Sequence, residues 1–281
     1  MRRLRRAKRQ LIAFAICLTT TAIIIMASIC TTLSQGSFVK NMGSANYYQN
    51  AKNQIIEQFN NIAIPSGLPQ DFFDDLNLEI DVYEDVNEQI KSVFTGSEIV
   101  LNKVKLGNTI TENIKKYVTS QGQQIDFATE IEIKSIVDDC LKEYEKQILV
   151  PHLAQIVSAW GRIEKYVNTI IIVLFLAVVA ACVMIVLSKK WKGHKVSYMA
   201  YSFLGSGVSC IIISTATQFI GLYQKINISP THVKNFVVAL INDAVTNIAT
   251  FGAVAFLAGI VLATLSLSFG KKEIKYRRSK K

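Results

Sequence analysis

The chain has 281 residues, half of them apolar, with 31 basic and 21 acidic side chains that give a formal charge of +10. The excess charge sits at the edges of long apolar runs and no aromatic-rich basic fold accompanies it, which excludes a nucleic-acid partner. The five cysteines form no CxxC pair, which excludes a zinc cluster built from sequence neighbours.

Residues 1–10 form a basic N-terminus carrying Arg2, Arg3, Arg5, Arg6, Lys8 and Arg9. Residues 11–34 follow as an apolar run without Asp, Glu, Lys, Arg or His, long enough to cross a ~30 Å hydrocarbon layer as a helix of about 20 residues. A basic segment followed by an apolar run is the pattern of a secretory signal, whose apolar core is usually about 7–15 residues. This run is longer, and Ile29 stands where a lipoprotein cleavage box before Cys30 needs a small residue. The expectation is an uncleaved signal anchor.

Residues 35–167 are expected to form an all-helical extracytoplasmic domain, large enough for its own core and acidic, with 12 basic and 19 acidic residues. Tyr48, Ala51, Ile55, Phe59 and Ile62 predict a helix over about 45–61. Pro65-Ser66-Gly67-Leu68-Pro69 breaks it. Ile80, Tyr83, Val86, Ile90 and Phe94 predict a second helix, ending at Thr95-Gly96, and Val100, Val104, Ile114 and Val118 a third, ending near Gly122. The clearest stripe is Ile133, Ile136, Val137, Cys140, Leu141, Tyr144 and Ile148, whose spacing puts one apolar face on a helix of about 20 residues. Pro151 interrupts it, and one long helix is predicted from about 152 to 188, running into the second span.

That span is 168–188. A basic loop, 189–195, carries Lys189, Lys190, Lys192 and Lys195. The third span is 196–223, the connection 224–243 is read as an external loop, and the fourth span is 244–269. The tail 270–281 holds seven basic residues and Glu273. The three basic clusters carry net +16 and the rest of the chain −6. Lys/Arg excess in short connections marks the cytoplasmic side, so both termini are predicted cytoplasmic in a multi-pass plasma-membrane protein. The basic flanks also suit anionic lipid headgroups, and the bilayer is the first expected partner.

Candidate chemistry is sparse. Residues 71–88 hold eight carboxylates and no basic residue, but Leu76 stands where an EF-hand loop needs Gly, and helical spacing scatters the acids. His152, His194 and His232 form no paired metal motif, and no nucleophile elbow or phosphate loop is present. No catalytic residue, metal or cofactor is expected. Coupled transporters and intramembrane proteases place ionisable groups at mid-depth, and these spans have none. What the spans do carry is small residues at packing intervals: Gly205 and Ser209 in the third, Gly252, Ala255, Gly259 and Ala263 in the fourth. These six are the helix-packing candidates, within one subunit or towards a homo-oligomer or membrane-protein partner. Gln218 in the third span and Asn247 in the fourth are the polar side chains to watch, both nearer the outer half, and Asn227-Ile-Ser229 is a formal glycosylation sequon.

The order of one span, a large helical domain, then three spans with short connections resembles four-span bacterial integral membrane proteins with an extracytoplasmic helical domain. In topology it is also similar to FtsX-type permease subunits. The resemblance implies bacterial origin and a plasma-membrane location and brings no site residues. The expectation is a non-enzymatic binding, sensing or scaffold component acting through its acidic domain. The alternative is a permease or channel subunit with spans three and four lining a path.

Overall fold

The computed structural model of the protein describes residues 2–150, 152–187 and 192–278. Pro151, Ser188, Lys189, Lys190, Lys280 and Lys281, which the sequence reading used, lie outside the described residues. The helices among the described residues are α1 (Arg2–Thr32), α2 (Gln35–Ser44), α3 (Tyr47–Ala63), α4 (Glu79–Thr95), α5 (Lys103–Ser120), α6 (Phe127–Ile148), α7 (Leu153–Leu187), α8 (Lys192–Ile220) and α9 (Thr231–Arg278). No strand occurs among those residues. Four of the helices, α1, α7, α8 and α9, are long and apolar enough to cross a membrane.

The chain divides into two compact units. One, here the acidic unit, comprises Gln35–Ala159 and Asn227–Ala239. The other, the apolar unit, comprises the chain up to Ser34, Trp160–Ile226 and the chain from Leu240 onward.

The acidic unit has a side-chain core. Ile133, Val137, Cys140, Tyr144 and Ile148 of α6 are buried, the stripe that the sequence spacing marks. Asp126 starts this helix: its carboxylate accepts from the Thr129 backbone N–H at 2.8 Å and from the Thr129 hydroxyl at 2.7 Å, satisfying a donor that the first turn leaves open. Those bonds hold the Asp126 carboxyl below the usual carboxylate range. α3 buries Ala51, Ile55 and Phe59, and Phe59 meets Phe73 edge to face at 5.5 Å. Each large side chain taken fully out of water adds about 1.5–3 kcal/mol before entropy is counted.

Two faces differ from the periodicity reading. In α4, Ile80 and Tyr83 are 60% and 51% exposed, while Asp85, Gln89 and Ser92 are buried beside Val82, Val86 and Ile90. In α5, Val100 (just before the helix) and Val104 are exposed, and Leu106, Gly107, Ile110 and Ile114 face inward. Gly107 lets α6 approach: a Cβ there would sit 3.2 Å from Leu141. The cause is polar pairing. Asp85 accepts from Tyr144 Oη at 2.7 Å and from the Asn102 backbone N–H at 3.0 Å. The Gln89 amide bridges the Ile148 carbonyl and the Val150 N–H. A hydrogen-bonded carboxylate can occupy a core position that an unpaired one cannot.

The segment 224–243 is also not loop throughout. Residues 231–243 are the first turns of α9, a helix of 48 residues. Its start is fixed by the Pro230 carbonyl, which accepts from the Val233 and Lys234 N–H groups at 3.1 and 3.2 Å. His232, Val233 and Phe236 are buried. Phe236 stacks edge to face on Phe38 at 5.5 Å and on Tyr47 at 6.1 Å.

In the apolar unit, three helices pack in definite registers. Ser202 Oγ donates to the Ala13 carbonyl at 2.8 Å, and a Cβ at Gly205 would lie 3.0 Å from Cys17 Sγ, so α1 and α8 run parallel. Ser197 and Ser266 hydroxyls pair at 2.6 Å, and Ser214 Oγ donates to the Val245 carbonyl at 2.9 Å, so α8 and α9 run antiparallel. Ile24, Cys210 and Ala255 meet where all three helices touch. α7 contributes Trp160–Leu187, where Ile172, Val173, Phe175 and Leu176 are each more than half exposed.

Candidate functional site

Gly252 and Gly259 lie in the seam between α8 and α9. A Cβ at Gly252 would fall 2.6 Å from Cys210 Cβ, and one at Gly259 would fall 2.7 Å from the Leu204 backbone nitrogen. Gly207, which the six candidates omit, is as tight: its Cβ would lie 2.7 Å from both the Gly252 carbonyl oxygen and the Phe256 nitrogen. No Cβ fits at such distances, so the helices touch backbone to backbone. Ala255 faces Ile24 and Cys210 instead, and Gly205 faces α1. Ser209 and Ala263 are half-buried. The sequence interval could not show that α8 contributes two different faces, one to α1 and one to α9.

Four buried serine hydroxyls of this unit are turned back to backbone. Ser28, Ser202, Ser206 and Ser214 each donate to a carbonyl. Asn247 Nδ2 donates to Thr32 Oγ1 at 3.3 Å and to Asp243 Oδ2 at 3.2 Å, while Gln218 is exposed. A continuous polar lining between α8 and α9 is therefore not what these groups build.

The acidic unit has the more open chemistry. One face of α3 presents Lys52, Asn53, Glu57 and Asn61, and the loop after it presents Gln70 and Asp71, around a groove of about 1000 Å³. Asn60 sets the wall: its Nδ2 donates to Asp74 Oδ1 at 2.7 Å and its Oδ1 accepts from the Phe73 N–H at 3.0 Å. Phe73 is thereby pressed into the core and the loop is held against α3. The side chains of Lys52, Glu57 and Asp71 make no hydrogen bond or ion pair with described residues, so the groove offers amides, one cation and free carboxylates. The sequence marked Asp71 only as part of an acidic run. The α3 contribution was visible as polar residues at helical spacing opposite the Ile55–Phe59 stripe, but only the Asn60 pin shows that loop and helix share a wall.

A second polar cluster is closed. His232 is fully buried, with Nδ1 2.8 Å from Gln54 Oε1 and its ring 4.8 Å from Tyr47. A neutral ring with the proton on Nδ1 fits that contact, leaving Nε2 as a bare acceptor. Burial pulls the His232 imidazole down from its ordinary 6.5 to about 4, and raises the Tyr47 phenol. Cys140 is fully buried in the α6 core, and burial pushes its thiol up to about 12, a structural rather than a reactive setting. Among the described residues, no group of three or more His, Cys, Asp or Glu side chains is placed to hold a metal ion.

Comparison with family models, curated proteins and solved structures found no match to this chain. The chain is an all-helical protein with four helices able to cross a membrane.

Proposed function

We propose that the chain is a non-enzymatic plasma-membrane component whose acidic unit lies outside the cytoplasm and binds a partner through the groove along α3. The carrying observation is that the side chains of Lys52, Glu57 and Asp71 line this groove without a hydrogen-bond or ion-pair partner among the described residues. Unpaired charges with amides beside them suit a polar segment bearing a cationic group, which the free carboxylates would pair and the amides would orient. The backbone contact at Gly207, Gly252 and Gly259 weighs against the permease alternative, because it fills the space between the two helices that would line the path.

The experiment is site-specific photo-crosslinking in cells. A photoreactive residue at Asn53 or Gln70 should give a discrete adduct that the same residue at Lys116, exposed on α5, does not give. Combining it with Glu57→Lys and Asp71→Lys should abolish the adduct. A groove that yields no adduct beyond that of Lys116, or one indifferent to charge reversal, overturns the reading. Orientation has its own test: single cysteines at Ser66 and Gly193 should react with an impermeant thiol reagent from opposite sides. Reaction from the same side overturns the topology.

A further inference from the structure

The registers inside the apolar unit bring three chain ends together. α1 and α8 run parallel through Ser202 and Ala13, and α9 runs antiparallel to α8 through Ser197 and Ser266. The N-terminal ends of α1 and α8 and the C-terminal end of α9 therefore lie at one end of this unit. In sequence these ends are the basic ones: Lys8 and Arg9 directly precede Gln10, Lys192 and Lys195 precede Ser197, and Lys271 and Lys272 follow Ser266.

At that end, α1 and α8 enclose a groove of about 470 Å³. Gln10, Ser197, Tyr198 and Tyr201 supply polar groups, while Ala13 and Phe14 supply an apolar wall. The groove closes deeper in, where Ser202 bonds the Ala13 carbonyl and Gly205 meets Cys17. Its mouth is open, since Phe14 is 63% and Tyr201 66% exposed. A polar compartment grading into an apolar one over one helical turn matches the passage from lipid headgroup to acyl chain, the depth that tyrosines favour. The volume holds a headgroup and glycerol and leaves the chains along Phe14 and the exposed Leu18.

We propose that this groove is a binding site for one anionic glycerophospholipid. The polar lining receives the glycerol and headgroup oxygens, and the basic flanks select the negative phosphate-bearing headgroup. The site is separate from the α3 groove, and its test does not depend on that reading. A basic residue near the surface favours an anionic lipid by about fivefold, so a preference of several-fold is expected even with partial screening.

The test uses the full purified chain, stripped of lipid in mild detergent and exchanged into equimolar phosphatidylglycerol and phosphatidylcholine. Retained lipids are counted by native mass spectrometry. One phosphatidylglycerol should be retained at least about fivefold over phosphatidylcholine. Gln10→Leu with Tyr201→Phe, both at exposed positions, should cut retention about threefold or more. Lys8→Gln, Arg9→Gln and Lys195→Gln together should erase the preference. If the double variant loses helicity by circular dichroism, Tyr201→Phe alone, which removes one hydroxyl, decides. Loss in the groove and charge variants supports the site. Loss in the charge variant alone means adsorption at the flanks and overturns the groove, as does an absence of preference in the unaltered chain.

Discussion

The acidic unit holds its helices a side chain apart, whereas the apolar unit brings α8 and α9 into backbone contact. The difference follows from solvent. In water, burying Phe59, Ile90 or Ile114 is itself the driving force, so large side chains between helices are an advantage. In lipid, an apolar side chain gains little by moving from acyl chains to a neighbouring helix, and association relies on close packing and hydrogen bonds. Gly207, Gly252 and Gly259 supply the first, and Ser202 and Ser214 the second. Polar groups follow the same division. In the acidic unit Asp85 bridges to Tyr144 of another helix side chain to side chain, whereas in the apolar unit Ser202 and Ser214 reach carbonyls of neighbouring helices.

Substitutions can break this contrast. Gly207→Leu should have the largest effect, because its Cβ would meet α9 backbone that cannot rotate away. A loss of about 3 kcal/mol or more is expected, read as detergent-dependent thermal unfolding. If it is tolerated, the backbone seam is wrong. Asp85→Ala should follow, at about 2 kcal/mol by chemical denaturation, since it leaves the buried Tyr144 hydroxyl without an acceptor and frees the Asn102 N–H from its partner. Tyr144→Phe should cost less, and the pair should be non-additive.

Acid should sharpen the same comparison. His232 has its folded pKa lowered below 6.5, so the unfolded chain binds more protons between about pH 6.5 and 4. Stability should be full above that window, fall as pH drops through it by about 2–3 kcal/mol, and level off below. His232→Gln should flatten the curve there, and an unchanged slope would mean that the imidazole is not held neutral. Asp126→Ala should remove the α6 cap and lower stability by less than Asp85→Ala does. Gly43→Ala marks the small end: no atom lies within 4 Å of a Cβ there, so a shift within about 0.5 kcal/mol is expected by the same denaturation.

Much of the fold was legible because hydrophobic period and solvent agree. Five of the seven stripe positions of α6 are buried, with Ile136 and Leu141 partly so, and the four long apolar helices could be read as well. α4 and α5 were found, and Val86, Ile90 and Ile114 do face inward, but Ile80, Tyr83 and Val104 do not: periodicity counts apolar residues and cannot see that Asp85 and Gln89 are satisfied by groups 17 to 61 residues away. The start of α9 was missed for a related reason. His232, Val233 and Phe236 stand at helical spacing, but beside a charge-free run of 26 residues they read as its connection. Of the packing candidates, Gly252 and Gly259 lie against α8; Gly207, which no interval in the sequence marks, lies against α9. The α3 groove was least legible, because Asn60 joins two segments that have no shared pattern.

The placement of His232 and Phe236 also sets an order of events during synthesis. Residues 35–159 leave the ribosome early, but side chains that complete their core belong to the last helix. About 70 residues must be translated in between, roughly 4–14 s at 5–20 residues per second. Through that interval Phe38 and Tyr47 lack the ring that covers them, so the nascent unit presents an unfinished apolar face. A chaperone or protease meeting the chain in those seconds would find its target there, and the face closes only when the final helix has begun.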